Sequence, residues 1–166
     1  DIPLRNSASF TKDVQFVDFN VDETSGNPGF PDLNRLLAKI PGTSTRAMLR
    51  ISGFITIPEA GNYDFRVSHT NGARFFLGMA AADFTTPRLD NWQPHGATDT
   101  GVINLQTGGG WNGTNAYPFV LEWWNGDPSN PTSDNPSLTL EWKITSSGST
   151  WAFVPAASLS HFGNDG

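Results

Sequence analysis

Oxygen-bearing side chains occur in two separated stretches of this sequence, and both stretches are candidates for a ligand site. The first is T-N-G, which contains Thr70 and Asn71. The second is W-N-G-D-P, in which Asn125 and Asp127 follow Trp124. Hydroxyl, amide and carboxylate oxygens accept hydrogen bonds and also ligate hard cations. The two stretches form one site only if the fold brings them together.

The T-N-G stretch also has a simpler interpretation as a tight turn. Asn-Gly between two alternating strands favours a two-residue type I′ hairpin, in which both turn residues need φ > 0. An ordinary hairpin turn at Asn71-Gly72 is therefore the hypothesis that competes with the ligand site.

Two adjacent tryptophans precede the second stretch, and on a strand their side chains face opposite sides of the sheet. Trp123 shares its face with Phe119 and Leu121, so we predict that it lies in the core. Trp124 shares its face with Glu122. It is interpreted either as a platform on which a ligand stacks or as a residue that closes the end of the fold.

The remaining tryptophans and the strand carboxylates are given structural roles. We predict core positions for Trp142 and Trp151, whereas Trp111 in a glycine-rich loop is left without a role. Trp92 has the same two interpretations as Trp124, of which the core position is preferred. Glu122 and Glu141 are expected to be solvated on polar strand faces. Motifs such as G-x-S-x-G and H-E-x-x-H are missing from the sequence, so we do not expect an enzyme.

Composition excludes several classes of partner. The net charge is −6, from 10 basic and 16 acidic residues, and phosphate binding relies on clustered Lys and Arg, so a nucleic acid is not expected. No apolar run approaches the ~20 residues of a membrane-spanning helix, so we expect no membrane insertion. With 0 cysteines there is no disulfide or thiolate site. A neutral polar surface with 6 tryptophans suits sugars, which offer hydroxyls and flat C–H faces.

The elements that must position these residues are mostly strands. Apolar residues alternate with polar ones in four segments, at 49–57, 63–67, 119–123 and 138–144. One segment, P-D-L-N-R-L-L-A-K-I-P-G, predicts a short helix that ends at Pro41-Gly42. Two long loops are expected at 78–101 and 124–136. The pattern predicts a single all-β domain over residues 1–166, an antiparallel, jelly-roll-like β-sandwich with one short helix.

An ordered set of motifs gives a more specific indication. They are L-R-I-S-G-F-I-T-I-P-E-A-G-N-Y-D-F-R-V-S, N-G-A-R-F-F-L, D-N-W-Q-P-H-G, G-V-I-N-L, Y-P-F-V-L-E-W, L-T-L-E-W and V-P-A-A-S-L. In this order, from about Leu49 to Leu159, the sequence resembles the protective-antigen N-terminal, or PA-fourteen, domain family.

The resemblance implies a β-sandwich module of secreted or surface proteins, whose lectin members bind glycans through one calcium ion held between two loops. The first loop of that family supplies two consecutive aspartates, which correspond here to Thr70 and Asn71. Because two negative charges are missing, calcium is expected to bind weakly or not at all unless other acids replace them. The candidates are Asp127 and Asp134 in the loop expected at 124–136, and Asp83 and Asp90 in the loop expected at 78–101.

We therefore expect a non-catalytic carbohydrate-binding module of a larger, multidomain secreted or cell-surface protein, with glycans or cell-surface polysaccharide as partners. The expected binding residues are Thr70, Asn71, Trp124, Asn125 and Asp127, and any calcium would be held by Asn71 and Asp127. The alternative is a structural spacer or protein-interaction module that does not bind sugar.

Overall fold

A computed structural model describes residues 18–20, 47–78, 85–94, 97–125, 137–145 and 148–160. The strands in these ranges, in chain order, are β1 (Asp18–Asn20), β2 (Ala47–Thr56), β3 (Gly61–His69), β4 (Gly72–Leu77), β5 (Leu89–Asn91), β6 (Ala97–Leu105), β7 (Ala116–Asn125), β8 (Ser137–Ile144), β9 (Ala152–Phe153) and β10 (Leu159–Ser160). The predicted helix near residues 31–42 lies outside the described residues.

The strands form two antiparallel sheets that face each other. The first sheet has the order β1-β8-β3-β6, with β9 paired to β8. The second sheet has the order β10-β2-β7-β4-β5. This arrangement confirms the predicted all-β antiparallel sandwich.

The core between the sheets is built from the alternating residues that the sequence indicated. Phe65 of β3 and Phe75 of β4 meet across the sandwich with ring centroids 5.2 Å apart. Trp123 of β7 is completely buried, as predicted. Other buried members of the core include Ile51, Ile55, Ile57, Tyr63, Val67, Leu77, Phe119, Leu121, Leu138, Leu140 and Trp142. At about 1.5–3 kcal/mol for each large apolar side chain, this burial is the main stabilising contribution to the fold.

Most consecutive strands lie in different sheets, and this overturns the hairpin prediction for T-N-G. β3 belongs to the first sheet and β4 to the second, so Thr70 and Asn71 cross the sandwich instead of joining hydrogen-bonded neighbours. Asn71 has φ 57, but Gly72 is not among the residues with positive φ. A type I′ turn needs both residues there, so the predicted turn type was wrong.

The loop expected at 78–101 is also more regular than predicted, because it contains β5 and the beginning of β6. Residues 79–84, 95–96 and 126–136 lie outside the described residues, so the second predicted loop is not described beyond Asn125. In the part of the chain that is described, no helix has the length and apolar character to cross a membrane.

Candidate functional site

The T-N-G turn lies beside the end of β7, which carries Trp124. β4 and β7 pair so that Gly72 is opposite Trp124. The Trp124 indole covers Gly72 so closely that a Cβ added there would be 2.0 Å from the indole Nε1. Residue 72 is therefore glycine because an aromatic side chain occupies the space above it. The structure thus brings Thr70 and Asn71 close to Trp124.

Core side chains hold both carbonyl groups of the turn. The Trp123 indole Nε1 donates to the Thr70 carbonyl oxygen at 2.7 Å. The His69 imidazole Nδ1 donates to the Asn71 carbonyl oxygen, also at 2.7 Å. Each bond ties a turn carbonyl to a buried ring, so the left-handed conformation of Asn71 is fixed by the core beneath it.

His69 links the turn to the neighbouring strand of the first sheet. Its Nε2 lies 2.8 Å from Oδ2 of Asp99 on β6, and the other oxygen of Asp99 accepts from Nδ2 of Asn91 at 3.3 Å. His69 is buried, with an exposed fraction of 3%. No role was predicted for His69, yet the period-two pattern of β3 contains the signal, because His69 continues the inward face of Tyr63, Phe65 and Val67.

An aromatic pair stands on the outer face of the second sheet at this end. The rings of Trp92 and Trp124 meet edge to face, with centroids 6.3 Å apart and an interplanar angle of 65°. The guanidinium of Arg74 lies over the Trp92 ring at 4.5 Å and pairs with Asp90 at 2.9 Å. Trp92 is only partly buried and does not belong to the core cluster, so its predicted core position was wrong.

Glu122 differs most from its expected environment, because it is buried, with an exposed fraction of 3%. β7 is central in its sheet, and the outer face around Glu122 is covered as well, since Phe76 and Val120 are also buried there. The Glu122 Oε1 lies 3.8 Å from Nε of Arg50. Among the residues that the structure describes, its Oε2 and the Nε1 of Trp124 are buried and have no hydrogen-bond partner.

On the first sheet, Glu141 is tied into an ion pair instead of being freely solvated. Nε and one Nη of Arg66 donate to its two carboxylate oxygens, each at 2.7 Å, and this raises the pKa of Arg66 above its ordinary value. Arg66 and Lys143 also lie over the ring of Trp151, at 4.5 and 4.8 Å. Trp151 is therefore partly buried beneath two cations on the outer face, and its predicted core position was wrong.

The donor set at the turn does not fit a calcium centre within the described residues. The carboxylate of Asp99 is bonded to His69 and Asn91, and that of Asp90 is paired with Arg74. No group of three His, Cys, Asp or Glu side chains gathers anywhere in the described ranges. The turn offers neutral oxygens, whereas calcium affinity rises with the number of charged ligands. Three of the acids named as replacements, Asp83, Asp127 and Asp134, lie outside the described residues.

The predicted site residues therefore have different outcomes. Within the T-N-G turn, Thr70 is partly exposed, while Asn71 is buried, with an exposed fraction of 2%. Trp124 is partly buried, and the backbone of Asn125 ends β7 opposite Ala47. Whether these residues bind a ligand stays a prediction.

Two facing antiparallel sheets, with strands that alternate between them, define the class as a β-sandwich module. A family model described as the PA14 domain matches residues 10–150, and the chain therefore belongs to the PA14 domain family. This confirms the resemblance identified from the motifs. A search of curated proteins finds no match.

Solved structures with the same fold come from proteins of different kinds. An anti-sigma factor domain-containing protein from Clostridium clariflavum matches with a TM-score of 0.60 and 20% identity over 94% of this chain and 44% of that chain. The Epithelial Adhesin 6 A domain from Candida glabrata, in complex with Galb1-3GlcNAc, matches with a TM-score of 0.55 and 18% identity over 71% of this chain and 52% of that chain. A PA14 sugar-binding domain from an RTX adhesin matches with a TM-score of 0.51 and 16% identity over 88% of this chain and 77% of that chain.

At these identities the likeness concerns the fold alone. The chain spans less than half the length of the anti-sigma factor domain-containing structures that it matches, at 42% and 44% of those chains.

Proposed function

We propose that this domain is a non-catalytic carbohydrate-binding module of a larger secreted or cell-surface protein. The binding site is the end of the sandwich where the T-N-G turn lies beside Trp124, with Thr70 and Trp92 at its rim. Its ligands are glycans or cell-surface polysaccharide. Membership of a family with sugar-binding structures of the same fold supports this class of ligand.

The observation that carries the proposal is the contact between Trp124 and the turn. The indole lies directly over Gly72, and Trp92 meets it edge to face at 6.3 Å. Trp124 remains partly exposed, so a sugar ring can pack its C–H face against the indole. An aromatic surface held by its neighbours loses little conformational entropy on binding, which favours affinity.

The neutral groups of the turn fit the same ligand. Thr70 is partly exposed, and its hydroxyl group is of the type that pairs with sugar hydroxyls. Asn71 is buried, so its contribution is to set the shape of the turn rather than to form the surface of the site. Asn125 and Asp127 extend the site only if the segment after β7 folds back toward the turn.

Calcium is a secondary part of the proposal and depends on Asp127. A thermal melt with and without millimolar calcium tests it, because a ligand that binds only the folded state stabilises it, by about 2.7 kcal/mol at a hundredfold excess over the dissociation constant. A melting temperature that does not change would show that the folded domain does not bind this ion. A rise that is lost in Asp127→Asn would assign the ion to the second stretch.

Glycan binding itself is tested with a printed glycan array, probed with the wild-type domain, Trp124→Ala and Trp124→Phe. Trp151→Phe is the matched control, since Trp151 is also partly buried but lies on the other sheet. We expect Trp124→Ala to lose binding, Trp124→Phe to keep part of it, and the control to keep it all. An array that is empty for the wild-type domain, in calcium and in chelator, would refute the proposal.

A spacer or protein-contact module is the second candidate. It is favoured by the missing pair of aspartates and by the buried position of Asn71, which leaves less polar surface at the turn. The same array separates the two candidates, because a spacer leaves it empty while the domain remains folded.

A further inference from the structure

The connection between β6 and β7, residues 106–115, lies at the end of the sandwich opposite the T-N-G turn. Its exposed ring, Trp111, packs against Phe54 with centroids 6.4 Å apart, and Phe54 pairs with Pro118 of β7. Trp124 is six residues further along β7, which is about 20 Å at ~3.4 Å per residue. The two tryptophans therefore belong to separate surfaces.

Hydrogen bonds within this connection fix its shape. Gly110 N donates to the Thr114 carbonyl at 2.8 Å, and the Trp111 carbonyl accepts from both the backbone N–H and the hydroxyl of Thr114, at 3.1 and 2.7 Å. The Asn112-Gly113 step supplies the left-handed conformations that the tight turn needs, with φ 51 and φ 74. The ring of Trp111 is consequently carried on a defined backbone.

The core anchors the same connection from below. The hydroxyl of Tyr117, a buried residue, donates to the Gln106 carbonyl at 2.6 Å and accepts from the Gln106 N–H at 2.8 Å. Gly109 fits against this hydroxyl, because an added Cβ would lie 2.7 Å from it. The glycine-rich run therefore has a defined conformation that hydrogen bonds and close packing hold in place.

This fixed backbone holds a large apolar ring in water. Trp111 is 46% exposed, and among the residues that the structure describes only Val102, at 60%, is another large hydrophobic side chain left exposed. The contact with Phe54 does not explain why nearly half of the Trp111 side chain is exposed to solvent. A rigid, exposed aromatic ring is typical of a binding surface, because a side chain that is already fixed loses little conformational entropy when a ligand binds.

The charge of this region limits what the ring can bind. From Thr100 to Leu121 the sequence contains no Asp, Glu, Lys, Arg or His. The polar side chains of this run are amides and hydroxyls, and among them Gln106 donates to Asn104, which donates to Asn62 of β3. This run therefore supplies no positive charge to a nucleic acid or a sulfated glycan.

We propose that Trp111 and the 106–115 connection form a second binding site, which takes a neutral saccharide against the indole face. Sugar hydroxyls pair with the surrounding neutral amides and hydroxyls, and the sugar C–H face covers the ring. The site uses no residue of the T-N-G end and needs no metal. With two sites at opposite ends, one domain can hold two chains of a polysaccharide and gain avidity on a repetitive surface.

The test uses the full domain produced in bacteria, so that Asn112 of the N-G-T sequence carries no glycan. The probes are immobilised neutral glucan, mannan, galactan and chitin oligosaccharides, with sulfated and sialylated glycans as charged comparators. Wild type, Trp111→Ala, Trp111→Phe, Trp124→Ala and the control Trp151→Phe are compared in the presence of chelator. Thermal melts verify that each variant is folded.

We expect a set of neutral glycans whose binding weakens about tenfold or more in Trp111→Ala, equivalent to about 1.4 kcal/mol, but persists in Trp111→Phe and Trp124→Ala. Absence of any Trp111-dependent neutral glycan would overturn the proposal, even if Trp124-dependent binding is found. A change in sedimentation in Trp111→Ala without a change on the array would also overturn it, and would assign the ring to a protein contact. Since the two tryptophans are tested separately, failure at one end leaves the result at the other unaffected.

Discussion

The two ends of the sandwich hold their connections in different ways. At the T-N-G end, buried rings from the core donate to both turn carbonyls, through His69 and Trp123. At the other end, buried Tyr117 anchors only the beginning of the 106–115 connection, at Gln106, and the segment that carries Trp111 is held by its own hydrogen bonds. The first turn is therefore bonded to the core directly, whereas the tip of the second connection presents Trp111 to solvent.

This difference separates stability from surface chemistry. A substitution at the T-N-G end removes contacts that the core also uses, so it lowers the free energy of unfolding together with any binding. A substitution of Trp111 changes the exposed surface and leaves the core cluster complete. Comparing variants from both ends therefore tests the account of how each connection is held.

The largest effect is expected from His69→Ala. This change removes the buried imidazole that donates to the Asn71 carbonyl and pairs with the Asp99 carboxylate, and it opens a cavity under the turn. Unsatisfied buried groups and a lost buried side chain together cost about 2–4 kcal/mol. Urea denaturation measures the loss. The matched control is Ser68→Ala on the outer face of the same strand, whose exposed contact with Thr98 contributes little; equal losses in both variants would contradict the buried role of His69.

The next effect is expected from Gly72→Ala. The new methyl group would collide with the Trp124 indole, so the ring or β4 must shift, at about 1–3 kcal/mol. The tryptophan emission spectrum should change with it. Gly148→Ala provides the comparison, because an added Cβ there meets nothing within 4 Å and only the left-handed backbone, φ +64, opposes it. An unchanged spectrum in Gly72→Ala would argue against the close packing of Trp124.

A smaller effect is expected from Arg66→Lys on the outer face of the first sheet. Lysine cannot reproduce the two parallel hydrogen bonds to Glu141, so the loss should be about 1 kcal/mol. Arg50→Lys is the control, because Arg50 is about half exposed and its Nε lies 3.8 Å from Glu122. If both changes have the same effect on the urea midpoint, the bidentate geometry makes no contribution.

The smallest effect on stability is expected from Trp111→Ala. The ring is 46% exposed and touches Phe54 of β2, so its removal should lower the free energy of unfolding by less than about 1 kcal/mol. A loss as large as that of His69→Ala would mean that the two ends are held in the same way.

The sequence predicts the sandwich well because a period of two is a local property of each strand. The inward residues of β2, β3, β7 and β8 were identified in this way. The pattern does not reveal which sheet a strand joins, and for this reason Asn71-Gly72 was interpreted as a hairpin although the chain crosses between the sheets there.

The candidate site was predicted only in part, since its burial depends on neighbours that are distant in sequence. Glu122 was expected to be solvated, but β7 is central and covered on both faces. Core positions were preferred for Trp92 and Trp151, yet each lies on an outer face, Trp92 beneath Arg74 and Trp151 beneath Arg66 and Lys143. His69 was detectable from its position on the inward face of β3, but no short motif contains it.

The most direct test is a proton–nitrogen NMR titration that follows the side-chain indole N–H signals of the 6 tryptophans while a neutral glycan from the array is added. Phenylalanine variants assign each signal. If the T-N-G end is the binding site, the Trp124 and Trp92 signals shift with a common saturation curve, and those of Trp142 and Trp151 do not move. If neither the Trp124 nor the Trp92 signal shifts, whichever other indole signals move, glycan binding at this end of the sandwich is contradicted.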